Sequence, residues 1–274
     1  MNVVLFGSTG MLGHYVHTIL SKNYNVIAFK RETFDIIKDD WNKLRSLFET
    51  IGYRQLTIIN CAGVIPQNAR KPEEYAKYIR VNTLFPHKLQ EIAERYNHNF
   101  IHITTDCVFD GLKDGGLYVE TDAHTETNIY GVSKSLGEPE NACVIRTSII
   151  GEELLNKHSL LEWTRGQKDN TINGFTNHRW NGVTCLTLAN LIKQIIDTNR
   201  FWTGTRHVFS PNTVSKYELC RLINEIYDLN ITINKFESGA TCDKSIASLS
   251  TTDWYTIEDI KTQIVEQKNH TLFV

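Results

Sequence analysis

Tyr130-Gly131-Val132-Ser133-Lys134 puts a phenol and an ammonium four residues apart, so on a helix both lie on one face. The pair suits proton transfer to a carbonyl that is receiving a hydride. A phenol with a pKa of about 10 is a weak acid–base group at neutral pH, and a neighbouring ammonium stabilises the phenolate. A surface Tyr–Lys pair is the plain alternative. A third group comes from Ile101-His102-Ile103-Thr104-Thr105-Asp106-Cys107-Val108-Phe109-Asp110-Gly111. A strand that ends in hydroxyl residues aims Thr105 into a cleft beside Tyr130, where it would hydrogen-bond a substrate oxygen. Strand-end capping by Thr or Asp is the competing reading.

Such a constellation needs strands that end together. Short apolar runs at Asn2 to Phe6, Asn25 to Phe29, Leu56 to Asn60, Phe100 to Thr104 and Ala142 to Arg146 read as strands, the first of them buried. Between them the spacing predicts helices over Met11 to Ser21, Trp41 to Thr50 and Glu73 to Ala93, with a break near Pro86, and one opening near Ile129. The alternation predicts an α/β fold: a Rossmann-like, doubly wound parallel sheet with helices on both faces. Beyond Gly151 the pattern loosens, with helices expected at Leu186 to Asp197 and Lys216 to Tyr227 and a strand at Arg206 to Ser210. Residues 1–150 are therefore expected to form the cofactor domain, with a strand near 206–210 returning to its sheet. Residues 151–274 would form a smaller, mixed substrate lobe.

Gly7-Ser8-Thr9-Gly10-Met11-Leu12-Gly13 lies at the first strand–helix junction. Glycines at Gly7, Gly10 and Gly13 let the turn be tight, bring backbone N–H groups near a pyrophosphate and let helix pack on strand. An ordinary strand–helix turn is the plain alternative. The second strand runs into Lys30-Arg31, where enzymes preferring NAD usually carry an acid for the ribose 2′-hydroxyl. Two cations there suit a 2′-phosphate, which Arg binds bidentately. NADPH is thus preferred, NADH stays open, and a solvated basic pair is the alternative. Asp35 and Ile36 are placed beside the adenine.

Composition narrows the class. The chain has 274 residues, net charge −2, 41% hydrophobic and 22% charged residues, which excludes disorder and collagen-like repetition and argues against a nucleic-acid partner. The first residues lack the basic region and apolar length of a signal peptide, and no stretch reaches the roughly 18 apolar residues of a membrane span. The 6 cysteines lie far apart without a C-x-x-C pair, fitting neither a zinc site nor a disulfide framework. A cytoplasmic setting follows as the expectation. His14 and His17 share a helix face, but with no third ligand at motif spacing the default is a solvated face and no metal. His102, within a strand, is expected to be packed.

Five motifs occur in order: the glycine turn, Asn60-Cys61-Ala62-Gly63, Val81-Asn82, Thr104-Thr105-Asp106-x-Val108-Phe109-Asp110-Gly111 and Tyr130-Gly131-x-Ser133-Lys134-x-x-Gly137-Glu138. Together they resemble the extended short-chain dehydrogenase/reductases, and within them the dTDP-4-dehydrorhamnose reductase family. The resemblance is good over about residues 1–150 and weak beyond. It implies a Thr105–Tyr130–Lys134 triad, a nicotinamide cofactor, a homodimer, and reduction of the C4 ketone of a nucleotide-linked 4-keto-6-deoxy sugar. Tyr130 would deliver the proton, Thr105 orient the ketone, and Lys134 hold the nicotinamide ribose. It also assigns Thr9, Met11, Leu12, Cys61, Ala62, Gly63 and Asn82 to the cofactor and Asp106 to the substrate.

Two departures bear on specificity. The rhamnose reductases usually carry Tyr where this chain has Cys107, and the 4,6-dehydratases an Asp-Glu pair, so dehydratase chemistry lacks its expected partner. Cys107 resembles the GDP-fucose synthase type of epimerase/reductase, in which a Cys and a His move protons beside the ketone. On an extended segment Thr105 and Cys107 share a face, and a thiol beside an acidified C–H is a general base if its pKa is lowered. A small buried hydrophobe is the other reading. The second departure is Asn173 to Thr184, rich in hydrogen-bonding groups. His178 is the candidate partner of Cys107, Arg179 a pyrophosphate ligand, Trp180 a stacking platform and Asn177 a further substrate contact; a structural role in the loop competes for each. This stretch is similar to that of enzymes reducing UDP-linked 2-acetamido-4-keto-6-deoxy sugars of the L-rhamnosamine type. A cofactor-binding, non-catalytic regulatory subunit of the same fold is the rival class.

Overall fold

The computed structural model describes residues 2–52, 55–67, 69, 71–155, 157–250 and 254–270. It opens with β1 (Asn2–Phe6), α1 (Gly13–Leu20) and β2 (Asn25–Phe29), the two strands parallel and in register from Asn2 opposite Asn25 to Phe6 opposite Phe29. Next come α2 (Trp41–Ile51), started by an Asp40 carboxylate that accepts the Asn42 N–H, and β3 (Thr57–Asn60). A 3-10 turn (Pro72–Glu74) leads into α3 (Tyr75–Tyr78), a π-helical segment (Ile79–Leu84) and α4 (Phe85–Tyr96). The helix expected to break near Pro86 instead runs on through this π segment. Pro86 lies in the first turn of α4, where its missing N–H costs little, and the widened turn before it makes room for the ring.

The series continues with β4 (Asn99–Thr105), α5 (Ile129–Ser135) and β5 (Cys143–Thr147). Then follow β6 (Ile149–Ile150), α6 (Leu160–Arg165), β7 (Thr171–Phe175), β8 (His178–Trp180), β9 (Val183–Thr184) and α7 (Cys185–Asp197). The chain closes with β10 (Gly204–His207), β11 (Val214–Ser215), α8 (Lys216–Tyr227), β12 (Thr232–Phe236), β13 (Cys242–Asp243) and α9 (Ile260–Asn269).

Six strands form the main sheet in the order β10-β5-β4-β3-β1-β2, every neighbouring pair parallel. This is the expected Rossmann-like, doubly wound architecture. The expected strand at Arg206 to Ser210 is found earlier, at Gly204–His207, and pairs with β5. α1 and α7 cover one face, packing Val16 and Leu20 with Leu188 and Ile192 over Val3 and Leu5. α2 and α4 cover the other, where Phe48, Phe85 and Leu89 meet Phe6 and Val144. A separate core gathers Trp180, Leu219, Ile223 and Ile264, below short sheets that pair β7 with β12 and β8 with β11 and β13. Among the described residues no helix is long and apolar enough to cross a membrane. Strand order reverses between β1 and β3, so their carboxyl ends open a crevice where such sheets bind ligands.

Candidate active site

At that crevice Gly7 has φ +79° and its O accepts the Gly10 N–H at 3.0 Å. A Cβ on Gly13 would lie 1.9 Å from the Gly7 oxygen, so the helix meets the turn at a distance only glycine permits. No side chain caps α1 and no acid sits in its first turn, so the positive end of the helix meets the turn without a capping carboxylate, as suits an anion. Gly10, Met11 and Leu12 line a cleft of about 350 Å³, and Cys61, Ala62 and Gly63 form the facing part of its wall. The turn therefore fits a dinucleotide pyrophosphate. Thr9 is exposed at its outer side. His14, expected on a solvated face, is instead buried, with Nδ1 2.9 Å from the Gly10 oxygen. Its ring packs against Tyr15, 4.4 Å between centroids, and lies near Glu153 of the loop before α6.

Lys30 and Arg31 follow β2 as exposed residues, and neither forms an ion pair among the described residues. The Asp35 carboxylate accepts the Ile37 N–H at 2.9 Å. Ile36 is half-buried, and Arg80 donates to its carbonyl at 2.6 Å and to that of Asp39, lying 4.2 Å above the Trp41 ring. Arg80 thus clips the loop after β2 in place, a task no motif announces. Asn82 does not line the cleft. Its amide spans the Val64 N–H (2.8 Å), the Val64 carbonyl (2.9 Å) and Ser133 Oγ (3.1 Å), so it braces the wall from behind.

α5 presents the tyrosine and lysine. Its start is set by Asn128, whose side chain accepts the Gly131 N–H at 2.9 Å. Its other end is set by Gly137, where a Cβ would lie 1.8 Å from the Asn82 carbonyl, and by Glu138, bound to the buried Arg146 at 2.5 and 3.0 Å. Tyr130 and Lys134 both line the cleft, with Thr105 at the end of β4 and Asp106 and Cys107 in the 3-10 turn (Asp106–Val108) that follows, so the segment is not extended at Cys107 as expected. Lys134 Nζ donates to the Ile103 carbonyl at 2.8 Å. Burial brings its pKa down to about 8, against the pull of Glu138 and Cys61. Burial drives the Tyr130 pKa above its usual value, helped by Cys107, while a hydrogen bond with Thr105 opposes it. Thr105 Oγ1 donates to Asp106 Oδ1 and accepts the Cys107 N–H, both at 3.1 Å. The Cys107 thiol is pushed up to about 12, mainly by burial and then by Asp106, so it carries its proton at neutral pH. Asp106 itself is raised by burial, with Lys216 and Lys244 pulling the other way.

The second expected cluster lies elsewhere. His178 Nε2 meets Ser238 Oγ at 2.8 Å and its ring stacks on Phe175, 4.7 Å between centroids. Asn177 donates to the Ser238 carbonyl at 2.8 Å and accepts the Ser238 N–H at 3.1 Å. Arg179 Nε stands 4.0 Å from Asp243. Trp180, expected as a stacking platform, is buried in the core below α8, because β8 turns that side inward between β11 and β13. None of these four lines the cleft with Cys107.

Several residues that do line it carried no motif. Thr147 ends β5 and Ser148 follows it, and the hydroxyl-at-strand-end reasoning that found Thr105 would have found them. Glu153 and His158 come from the loop before α6, where nothing in the spacing marks them. Lys244, paired with Glu126 at 3.0 Å, is brought near Asp106 and Cys107 by β13.

The dTDP-4-dehydrorhamnose reductase of Aggregatibacter actinomycetemcomitans is 33% identical over 139 residues, 50% of this chain and 45% of that protein. That of Escherichia coli K12 is 31% identical over 140 residues, 50% and 46% of the two chains. The matched stretch thus spans less than half the length of these relatives. The crystal structure of a dTDP-4-dehydrorhamnose reductase from Bacillus anthracis in complex with NADP superposes with a TM-score of 0.82 at 18% identity, covering 97% of this chain and 98% of that one. The orthologue from Clostridium acetobutylicum gives 0.81 at 20% identity over 98% and 99%. At such identities the structures establish a shared fold. The sequence profile of the RmlD substrate binding domain matches residues 1–241, and the chain belongs to that family.

Proposed function

We propose that this chain is an NADPH-dependent reductase of the C4 ketone of a nucleotide-linked 4-keto-6-deoxyhexose. The observation that carries the reading is the convergence of Thr105, Tyr130 and Lys134 on one cleft with the glycine-rich turn. The named relatives that reduce such a dTDP-linked sugar support the substrate class. When bound, the reduced nicotinamide supplies a hydride. The Tyr130 phenol, kept protonated by burial, gives its proton to the ketone oxygen. Thr105 turns its hydroxyl from Asp106 to that same oxygen, and the Cys107 N–H keeps the hydroxyl in place. Lys134, anchored on Ile103, holds the cofactor ribose. Gly10 to Leu12 take the pyrophosphate, and Lys30 and Arg31 the 2′-phosphate. Residues 1–150 supply these groups, and 151–274 contribute the substrate side together with β10.

A second reading adds proton exchange at C3 before reduction, making the chain a 3-epimerase/4-reductase. In its favour, Cys107 lines the cleft beside Thr105. Against it, the thiol is protonated and His178 is bound to Ser238. Homodimerisation belongs to the same proposal, with Leu84 and Leu136 as exposed apolar side chains available to a second copy. The test is incubation with NADPH and a panel of dTDP-, UDP- and GDP-linked 4-keto-6-deoxy sugars, with and without a 2-acetamido group, in deuterated water. Oxidation of NADPH by at least one sugar is expected; none would remove the reductase reading and favour a non-catalytic subunit. Solvent deuterium at C3 of the product is required by the second reading, and its absence ends it.

A further inference from the structure

Asn60 and His102 stand opposite each other on β3 and β4, and both are wholly buried. Asn60 Oδ1 accepts the Ala62 N–H at 3.1 Å. That contact orients the amide, so Nδ2 is the group that meets His102 Nδ1 at 3.2 Å. An amide NH2 only donates, and Nδ1 must therefore accept and carry no proton. Burial and the nearby Lys134 hold the His102 pKa well below its ordinary value, so the ring is neutral and its single proton sits on Nε2. Nε2 is buried with no hydrogen-bond partner among the described residues. A buried N–H in that state is unfavourable. Packing alone would be served better by an apolar side chain, such as Phe100 two positions earlier on the same face.

The other end of this chain of bonds is the cleft. A Cβ on Gly7 would lie 2.7 Å from the Ala62 nitrogen, so the turn after β3 rests directly on the glycine-rich turn. The same turn is tied to β1 by the Cys61 N–H, which donates to the Phe6 carbonyl at 3.0 Å. Cys61, Ala62 and Gly63 line the cleft together with Gly10 to Leu12.

We infer that His102 is a positioning residue for cofactor binding: through Asn60 it fixes the Cys61–Gly63 wall against the glycine-rich turn. The inference rests on the cofactor reading given above. Without an acceptor at Nδ1, the Asn60 amide loses its reason to keep Oδ1 on the Ala62 N–H. The wall then relaxes away from the glycine-rich turn, while Tyr130, Thr105 and Lys134 keep their own anchors.

Direct titration of NADPH into wild-type, His102→Leu and His102→Asn protein tests this, with kinetics alongside. His102→Leu keeps the burial and removes the acceptor. Its NADPH dissociation constant and KM should rise about tenfold while kcat stays within about twofold. His102→Asn offers Oδ1 where Nδ1 stood and should return affinity to within about threefold of wild type. Wild-type affinity in His102→Leu, or equal weakness in both variants, overturns the inference. Should His102→Leu not fold, ¹⁵N spectra of the wild type decide: the proton is expected on Nε2 between pH 6 and 8, and a proton on Nδ1 reverses the bond chain and overturns the inference. A wild type that binds neither NADPH nor NADH instead removes the cofactor reading on which this stands.

Discussion

The two ends of the molecule that the sequence marked as functional are built by different means. Around the glycine-rich turn and α5, backbone touches backbone: a Cβ would come within 1.9 Å of Gly7 O at Gly13 and 1.8 Å of Asn82 O at Gly137. Around β8 and β13, two-residue backbone ladders join short strands, and side chains fasten them to the segments beyond. Asn177 and His178 bind Ser238, Arg179 faces Asp243, and Trp180 fills the core. Close backbone contact admits glycine alone and so leaves a fixed spacing in the sequence. Hydrogen bonds between distant short strands admit many residue types and leave none.

Breaking the first region should have the largest effect. Gly13→Val drives a branched side chain into the Gly7 carbonyl, and loss of all NADPH binding is expected by fluorescence titration, whether or not the chain still folds. Normal binding would show that the turn tolerates what its geometry forbids.

The next effect is a pH limb. With the Lys134 pKa lowered to about 8, its ammonium is present below that value and lost above it. NADPH affinity should therefore hold through neutral pH and fall as pH rises through about 8. Lys134→Met should bind weakly without that limb. An unchanged limb in the variant assigns the titration to another group.

A smaller effect within the cofactor end is expected of Arg31→Ala. KM for NADPH should rise roughly tenfold with that for NADH unchanged, the worth of a charge-assisted phosphate contact. Equal changes for both would mean that Arg31 does not meet the 2′-phosphate.

The smallest effect belongs to the second region. His178→Ala should change kcat by less than about threefold, since the ring is held by Ser238 and Phe175 away from the cleft. A loss of 10²-fold or more, the usual size for a general acid or base, would return His178 to the chemistry.

How much was readable follows from the same contrast. β1 and β2 lie at their expected bounds because short β-branched and aromatic runs are bounded by turn residues, and α7 and α8 lie within a residue of theirs because apolar periodicity over a long helix is clear. Tyr130 and Lys134, placed on one helix face by their spacing, line one cleft with Thr105, which was read from a strand end. The π segment before Pro86 was not readable, since a proline in a helical pattern predicts a stop unless the preceding turn widens. Trp180 was read by composition, and composition cannot say which way a three-residue strand turns. Lys244 and Arg80 depend on long-range placement by β13 and the π segment, so their positions appear only in the folded chain.

In the proposed reaction Tyr130 protonates a sugar ketone that NADPH reduces at C4. Turnover of a nucleotide-linked 4-keto-6-deoxy sugar with NADPH deuterated at the transferable position tests it directly, in wild type and Tyr130→Phe. The product should carry deuterium at C4, and Tyr130→Phe should bind NADPH normally while losing about 10²–10⁴-fold in rate. Deuterium elsewhere, or undiminished turnover by Tyr130→Phe, would contradict the account.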